Sequence, residues 1–481
     1  MSLNSRLVIV FLSAVLARVV FHQITGFIAD DAFITFRYAR NLSEGLGFVY
    51  NQGEPVMGTS TPLFTLLLAS FSVAGISPIT SALAISILAA GVTATILYRF
   101  ALSLRFTRMA FLLPLAYILF PRSVVADTCG METALFTMFV AGAFYFQHRG
   151  LIIYAAAMAT MATATRPEGA FLLALLLVFD LYYHREQWGK CLIVPMILLV
   201  PWLVFSWIYF GTPVPNSIPG KLALYSQFDI STPLESFVYI MAWHNPFGWI
   251  LTAAVVAGAR WLNKKQNFGW LEITWLLTMV LFYTFSQTVV FFWYIAPIYP
   301  IYLLFAVASL PMLFDYLAEK RYPRLKDRSA PFVIAVTVLL VGALTLGNYR
   351  PIEYYSRYQN TLEDVHLQIG RFLFQNTKKS DLIAAEDIGY IGYYSHRRIL
   401  DRDGLVSSAT RVYNRQAAYA DLIYDFEPDW VVAGRASPIS GFISDSLFLS
   451  EYQRDTTFGR AQWRYDVFRR KKQSSAPDTG L

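Results

Sequence analysis

The chain has 481 residues, 56% of them hydrophobic and 15% charged, with a net charge of +7. A soluble domain carries about 25% charged residues, and the mean hydropathy here is +0.44, so the composition excludes an ordinary globule bathed in water. The basic excess does not point to nucleic acid either, because its residues fall in short loops between long apolar runs. A bilayer span needs roughly 20 apolar residues, and many segments approach that length.

In chain order, the apolar runs predict eleven spans. They are Leu7 to Thr25, Ile79 to Leu102, Met109 to Val125, Thr133 to Gln147, Leu151 to Thr165 and Gly169 to Tyr183. The rest are Leu192 to Phe210, Phe247 to Ala259, Trp270 to Gln287, Ala296 to Leu317 and Pro331 to Leu346. Arg6 precedes the first run and Arg18 interrupts it, with no small-residue cleavage site after it. It is therefore expected to be a retained span with its N-terminus in the cytoplasm. Cys129 and Cys191 sit at opposite ends of spans, which predicts neither a disulfide nor a thiolate metal site.

One apolar run, Pro62 to Ile76, is left out of the count. It is short, and Gly75 and Pro78 end it. With it excluded, Arg105 and Arg108, His148 and Arg149, Arg185 and Lys190, Arg260 with Lys264 and Lys265, and the run "EKRYPRLKDR" all face the cytoplasm, as the positive-inside rule requires. Pro62 to Ile76 is then a helix lying in the interface or re-entering. The expected organisation is mostly α: a polytopic membrane domain over 1–346, whose first outer loop (26–78) carries interfacial helices. An outer α/β domain follows over 347–470, then a disordered tail over 471–481. Within the α/β domain, "DLIAAEDIGYIGYYS" and "DWVVAG" read as strands and the stretch around Leu362 to Phe374 as a helix.

Charged groups are costly near hydrocarbon, about 2.5–3.5 kcal/mol each at the bilayer centre. Those at span ends therefore invite a functional account. Asp30, Asp31, Asp127, Glu132 and Glu168 gather on the outer side, joined by Arg122, Arg166 and Lys221. The richest stretch is "ADDAFITFRYARNLSEGLGFVYNQGEPVMGTSTPLFTLLLA". Asp30 or Asp31 reads as an N-cap, followed by an interfacial helix that sets Phe33, Phe36 and Tyr38 among Arg37 and Arg40. Adjacent Cα atoms lie about 3.8 Å apart and their side chains diverge, so the pair cannot straddle a sugar as two glycosidase carboxylates do. One base plus one capping, metal-binding or hydrogen-bonding partner is the workable division.

Each candidate also has a plain structural account. Arg166-Pro167-Glu168 suits a helix start, Arg122 and Arg18 suit snorkelling or pairing, and Glu132 and Glu168 suit the caps of spans four and six. Trp293 and Tyr294 suit an aromatic belt. Trp243 and His244 suit a loop.

The first-loop stretch "DDAFITFRYARNLSEGLGFVYNQGEPVMGTSTPL" resembles that of GT-C glycosyltransferases related to the mycobacterial terminal arabinofuranosyltransferases. It is more distantly similar to the protein O-mannosyltransferase group. Collinear matches follow in "GMETALF", "TRPEGAFLLALLL", "YFGTPVPNSIPGK", "FFWYIAPIYPIYLL" and "EDIGYIGYYSHRRILDRDGL". The resemblance implies a polyprenyl-phosphate sugar donor, an active site on the outer face and transfer with inversion. It also implies that an aspartate of the first-loop pair, Asp30 or Asp31, is the base. Relatives with arabinofuranosyl donors often carry an acidic residue before the glycine of the "TSPL"-like run; Met57 stands there in this chain.

The mechanism expected needs a carboxylate to take the proton of an acceptor hydroxyl, and cations where the leaving phosphate gains charge. Lys221, Arg122 and Arg166 are the phosphate candidates. Tyr38, Asp127, Glu132, Glu168, Asn216 and Tyr294 are the substrate-binding candidates. No cofactor is demanded, although a divalent cation (Mg, Mn or Ca) on Asp30 or Asp31 is compatible with the pair. The partners expected are the lipid-linked sugar, a glycan, lipid or protein acceptor and the membrane lipid, with no nucleic acid. The expected location is the inner cell membrane. A transporter of lipid or sugar is the rival class, but no internal repeat is visible and the polar groups gather at one face instead of the midplane.

Overall fold

Apolar residues recur so densely along most of the chain that helices, whose backbone groups pair within the segment, are the elements such a sequence forms in lipid. The computed structural model describes residues 2–106, 109–225, 232–242, 246–266, 268–286, 288–317, 329–460 and 463–471. Trp243, His244, the basic run at 319–328 and all of the expected tail but Lys471 lie outside the described residues.

The described chain divides into two units. The first comprises Met1–Ile28, Ser60–Pro213 and Ile230–Arg357; the second comprises Ala29–Thr59, Val214–Asp229 and Tyr358–Leu481. A plain division at residue 347 does not capture this. The residues after Ala29 and around Asn216 pair with the C-terminal segment instead of with the apolar helices.

The first unit is helical. Among the described residues, five helices are long and apolar enough to cross a membrane, including Leu3–Thr25, Pro78–Ser103, Arg185–Phe210 and Phe292–Tyr316. The protein is a multi-pass membrane protein. Helix Pro62–Val73 has 12 residues, a length of about 18 Å, well short of a hydrocarbon core of about 30 Å. Gly75, at φ 83°, ends that segment in the left-handed region that glycine tolerates. The expected third span is broken: Leu112–Leu119 stops at Phe120, which is extended (φ −69°, ψ 116°), and Pro121 opens a second short helix, Pro121–Thr128. Proline bars its predecessor from helical geometry and suits a first turn, and the sequence reading overlooked that break. The last helix of the unit, Ser329–Tyr358, runs well past the expected end at Leu346.

The second unit is α/β. Its sheet has five strands: β1 (Leu382–Ala385), β2 (Arg398–Asp401), β3 (Trp430–Gly434), β4 (Tyr452–Phe458) and β5 (Tyr465–Arg470). They lie in the order β2-β1-β3-β5-β4. β1 is parallel to both β2 and β3, while β5 is antiparallel to β3 and β4. The core is Ala384, Leu400, Ile423, Val431, Phe448, Tyr452 and Phe468. The stretch "DLIAAEDIGYIGYYS" is a strand only in its first half. After β1 it becomes helix Ile388–Ser395, because the second half carries glycines and spaced aromatics instead of alternation.

The first-loop segment is sewn into this unit by backbone-directed side chains. Arg37, expected at the lipid interface, is 4% exposed. Its guanidinium donates to the carbonyls of Tyr50 (2.8 Å), Gly392 (2.8 Å) and Arg397 (2.6 Å) and to Asn51 Oδ1 (3.2 Å). Asn51 then pairs with Ile399 of β2 in both directions, accepting its N–H at 3.0 Å and donating to its carbonyl at 2.8 Å.

Candidate active site

Helix Asp30–Ser43 begins with the acidic pair, but neither carboxylate caps it. The N-cap is Ala29, with no side-chain bond. Asp30 instead reaches across 359 residues of sequence to the start of helix Ile388–Ser395. There its Oδ2 accepts the Gly389 N–H at 2.9 Å and its Oδ1 accepts the Tyr390 N–H at 2.8 Å. These are orphan donors of a first helical turn, which a carboxylate satisfies best. Gly389 is required for the approach, since a Cβ there would stand 2.5 Å from Asp30 Cγ. Phe33, one turn on, packs its ring against Tyr390 at 3.8 Å between centroids.

Around Asp30 the structure gathers groups that sequence reasoning did not single out. His366 Nδ1 lies 3.8 Å from Asp30 Oδ1 and 3.9 Å from Glu363 Oε2. On the other side of the ring, His366 Nε2 lies 3.6 Å from Asp387 Oδ2, which accepts the Tyr465 hydroxyl at 2.8 Å. Burial, with Asp387 as the next cause, pushes Asp30 up to about 8 against the restraint of its two N–H donors. Burial likewise raises Asp387. It lifts Glu363 well above the carboxylate range, and Asp30 adds to that. It drives His366 down to about 3, so the imidazole is neutral at pH 7. Glu363 and His366 share one helix face at i and i+3, a spacing visible in the sequence; nothing local announced that Asp30 would join them.

Asp31 is the more open member of the pair, with a third of its side chain exposed, and Lys221 Nζ lies 3.6 Å from its Oδ2. Lys221 sits in helix Ser217–Tyr225. That segment is held by Asn216, whose side chain donates to the carbonyls of Gly404 (2.9 Å) and Leu405 (2.8 Å), and whose N–H donates to Met57 O at 2.7 Å. The Asn216 amide is thus engaged by backbone carbonyls. Tyr38 is likewise engaged by backbone. It is fully buried, its hydroxyl donates to Val56 O (2.6 Å) and accepts from Gly58 N (2.8 Å), and so it braces a turn.

The remaining candidates belong to the membrane unit. Asp127 is 2% exposed and holds the Arg18 guanidinium at 2.8 and 3.1 Å, with the Tyr117 hydroxyl donating to it at 2.9 Å. Its Oδ2 neutralises a cation among the helices. Arg166 lies between Glu132 (3.6 Å) and Glu168 (3.2 Å) and donates to Trp293 O at 2.9 Å. Glu168 also accepts from the Tyr283 hydroxyl at 2.8 Å. Glu132 and Glu168 occupy the N-cap positions expected of them but make no cap bonds. Tyr294 stacks on Tyr283 at 5.7 Å and lies 5.2 Å from the Arg166 guanidinium. These six residues form one network, in which the charge of Arg166 is already answered by two carboxylates. Arg122 is half-buried, donating to the Tyr299 hydroxyl at 3.3 Å, with its guanidinium 4.8 Å from the Tyr239 ring.

Residues 348–474 match a family described as a domain of unknown function (DUF8728). Over 271 residues, 51% of this chain, the sequence is 27% identical to the terminal beta-(1->2)-arabinofuranosyltransferase of Mycobacterium tuberculosis (strain ATCC 25618 / H37Rv). The match spans 42% of that relative's length. Crystal structures of ArnT from Cupriavidus metallidurans, bound to undecaprenyl phosphate and in the apo state, each superpose with a TM-score of 0.65 at 14% identity. Each covers 97% of this chain and 98% of theirs. The chain thus shares the fold of ArnT along nearly its whole length and is similar in sequence, over half of its own length, to an arabinofuranosyltransferase.

Proposed function

We propose that the protein is an inverting glycosyltransferase that moves a sugar from a polyprenyl-phosphate carrier to a hydroxyl of a glycan, lipid or protein acceptor. In this reading eleven spans cross the inner membrane, and the α/β unit and the site lie on its outer face. The observation that carries the reading is the pairing of Asp31 with Lys221, an accessible carboxylate and a cation 3.6 Å apart. Asp30, spent on the Ile388 helix, is the partner, which leaves Asp31 as the base.

The acceptor oxygen attacks the anomeric carbon, and the bond from that carbon to the phosphate oxygen breaks with its electron pair going to the phosphate. The acceptor proton passes to Asp31. The leaving group is already a stable anion, so no general acid is needed. Lys221, paired with Asp31, is the cation proposed to meet the charge that the phosphate gains. The carrier is supported by the undecaprenyl phosphate bound to ArnT and the pentosyl chemistry by the arabinofuranosyltransferase likeness. Met57, where that group often has an acid, leaves hexosyl donors equally open.

The test is transfer from radiolabelled polyprenyl-phosphate pentoses and hexoses by purified protein in nanodiscs. Asp31→Asn is expected to lose about 10²–10⁴-fold in turnover, and Lys221→Ala to raise the KM for donor with the fold intact. Turnover by Asp31→Asn within a few-fold of the parent would remove Asp31 as base. Uptake of sugar without any transfer would favour a transporter.

A further inference from the structure

We propose that Asp30, Glu363 and His366 form a divalent-cation site of the zinc or manganese class beside the transfer site. Asp30, Glu363 and His366 each present one ligand atom, and these atoms lie within 4.8 Å of one another. Ligands about 2.0–2.2 Å from a tetrahedral ion stand roughly 3.3–3.6 Å apart, so the observed 3.8 and 3.9 Å from His366 Nδ1 close with shifts of a few tenths of an ångström.

The second observation is independent of that spacing. His366 is 1% exposed and Glu363 is 2% exposed, yet among the described residues His366 Nδ1, His366 Nε2 and Glu363 Oε2 have no hydrogen-bond partner. Leaving such groups buried without partners costs about 1–3 kcal/mol each, and a cation bound between His366 Nδ1 and Glu363 Oε2 removes that cost at those two atoms. The surroundings are those of a ligand set. Asp387 faces the far ring nitrogen at 3.6 Å and is itself fixed by Tyr465, as a carboxylate behind a metal-bound histidine usually is. Two backbone N–H groups hold Asp30 in place. A π-helical turn, Gln359–Glu363, ends on one ligand and runs directly into helix Asp364–Asn376, which carries the other; such widened turns re-aim side chains at functional positions.

The donor set decides the class. One imidazole with two carboxylates suits zinc or manganese, whereas calcium takes six to eight oxygens and magnesium keeps several waters. The ion's part in transfer rests on the proposed function: it fixes Asp30, the residue next to Asp31, and so positions the base without touching the sugar.

The test uses the full chain in detergent, stripped by chelator, reloaded separately with zinc, manganese, magnesium and calcium, passed over a desalting column and assayed by mass spectrometry of the metal. The parent and Asp31→Asn are expected to retain about one zinc or manganese per chain. Glu363→Gln and His366→Gln are expected to lose retention at least tenfold, on the order of the effect of removing a ligand. X-ray absorption at the zinc edge of the parent needs no variant and should report one imidazole with oxygen ligands at about 2.0–2.2 Å. A parent that retains no ion, or a zinc spectrum without imidazole, overturns the site. Retained metal with no sugar transfer leaves the site standing and removes the proposed function. Full transfer after stripping, in a protein that does not take the metal back, removes the site alone.

Discussion

Replacing Gly389 by alanine tests whether Asp30 is truly pinned to the Ile388 helix. The added methyl would meet the Asp30 backbone oxygen and stand 2.5 Å from both Cγ and Oδ2, where ordinary contact begins at 3.4 Å. Overpacking of this kind costs about 1–3 kcal/mol. If the helix slides away instead, two hydrogen bonds to a carboxylate stretch, each contributing about 1.5–3 kcal/mol. The two escapes are alternatives, so the cheaper sets the loss at about 1–3 kcal/mol. For a unit of this size that is a fall in Tm of about 2–12 °C, read by thermal scanning in detergent. Transfer should fall with it, since Asp31 moves with its neighbour. Gly441→Ala is the control: nothing lies within 4 Å of its Cβ position, and no change is expected. A Gly389→Ala protein as stable and active as the control would refute the contact.

Other perturbations separate bracing from chemistry. Arg37→Met leaves the carbonyls of Tyr50, Gly392 and Arg397 without their donor; a loss of about 3–6 kcal/mol should appear as faster hydrogen exchange over residues 388–399. Asp127→Asn strands a buried Arg18 and should cost about 3–5 kcal/mol, while the KM for donor in the folded fraction stays unchanged. Tyr38→Phe breaks the bridge from Val56 O to Gly58 N and should cost about 1–3 kcal/mol; a several-fold change in acceptor KM would instead put Tyr38 against substrate.

What was legible in the sequence was whatever depends on local composition. Apolar runs, the charges between them and the Arg166-Pro167 break all report on a few residues at a time. The broken third span was equally local, written in Pro121, and was missed because hydropathy alone was weighed. The site was legible only in half. Asp30 and Asp31 stand out as adjacent acids before an amphipathic stretch, but the partners that distinguish them, Gly389 and Lys221, lie far along the chain. Arg37 illustrates the same limit: amid aromatics it reads as interfacial, whereas its partners are backbone carbonyls that carry no sequence signal.

The charge balance of the α/β unit favours the proposed reading of this arrangement as a site over that of a brace. A lone capping carboxylate would be satisfied by two N–H groups and gain little from more acids nearby. Here Glu363 and Asp387 are set around Asp30, and the ring between them is neutral at pH 7 because burial holds His366 down to about 3. Like charges so placed disfavour one another's ionisation, so the fold accepts a cost that apolar packing would avoid. Such a cost persists where an arriving positive charge is part of the function. Lys221 meets Asp31 from one side; on the other, burial favours the protonated forms of Asp30, Glu363 and Asp387, and a cation binding there would displace those protons. Charge reversal at that point follows the same logic. Glu363→Lys would place an ammonium group among Asp30, His366 and Asp387, and should stabilise the cluster without metal while abolishing metal retention. A variant that still bound zinc would show that the negative charge gathered there serves something other than a cation.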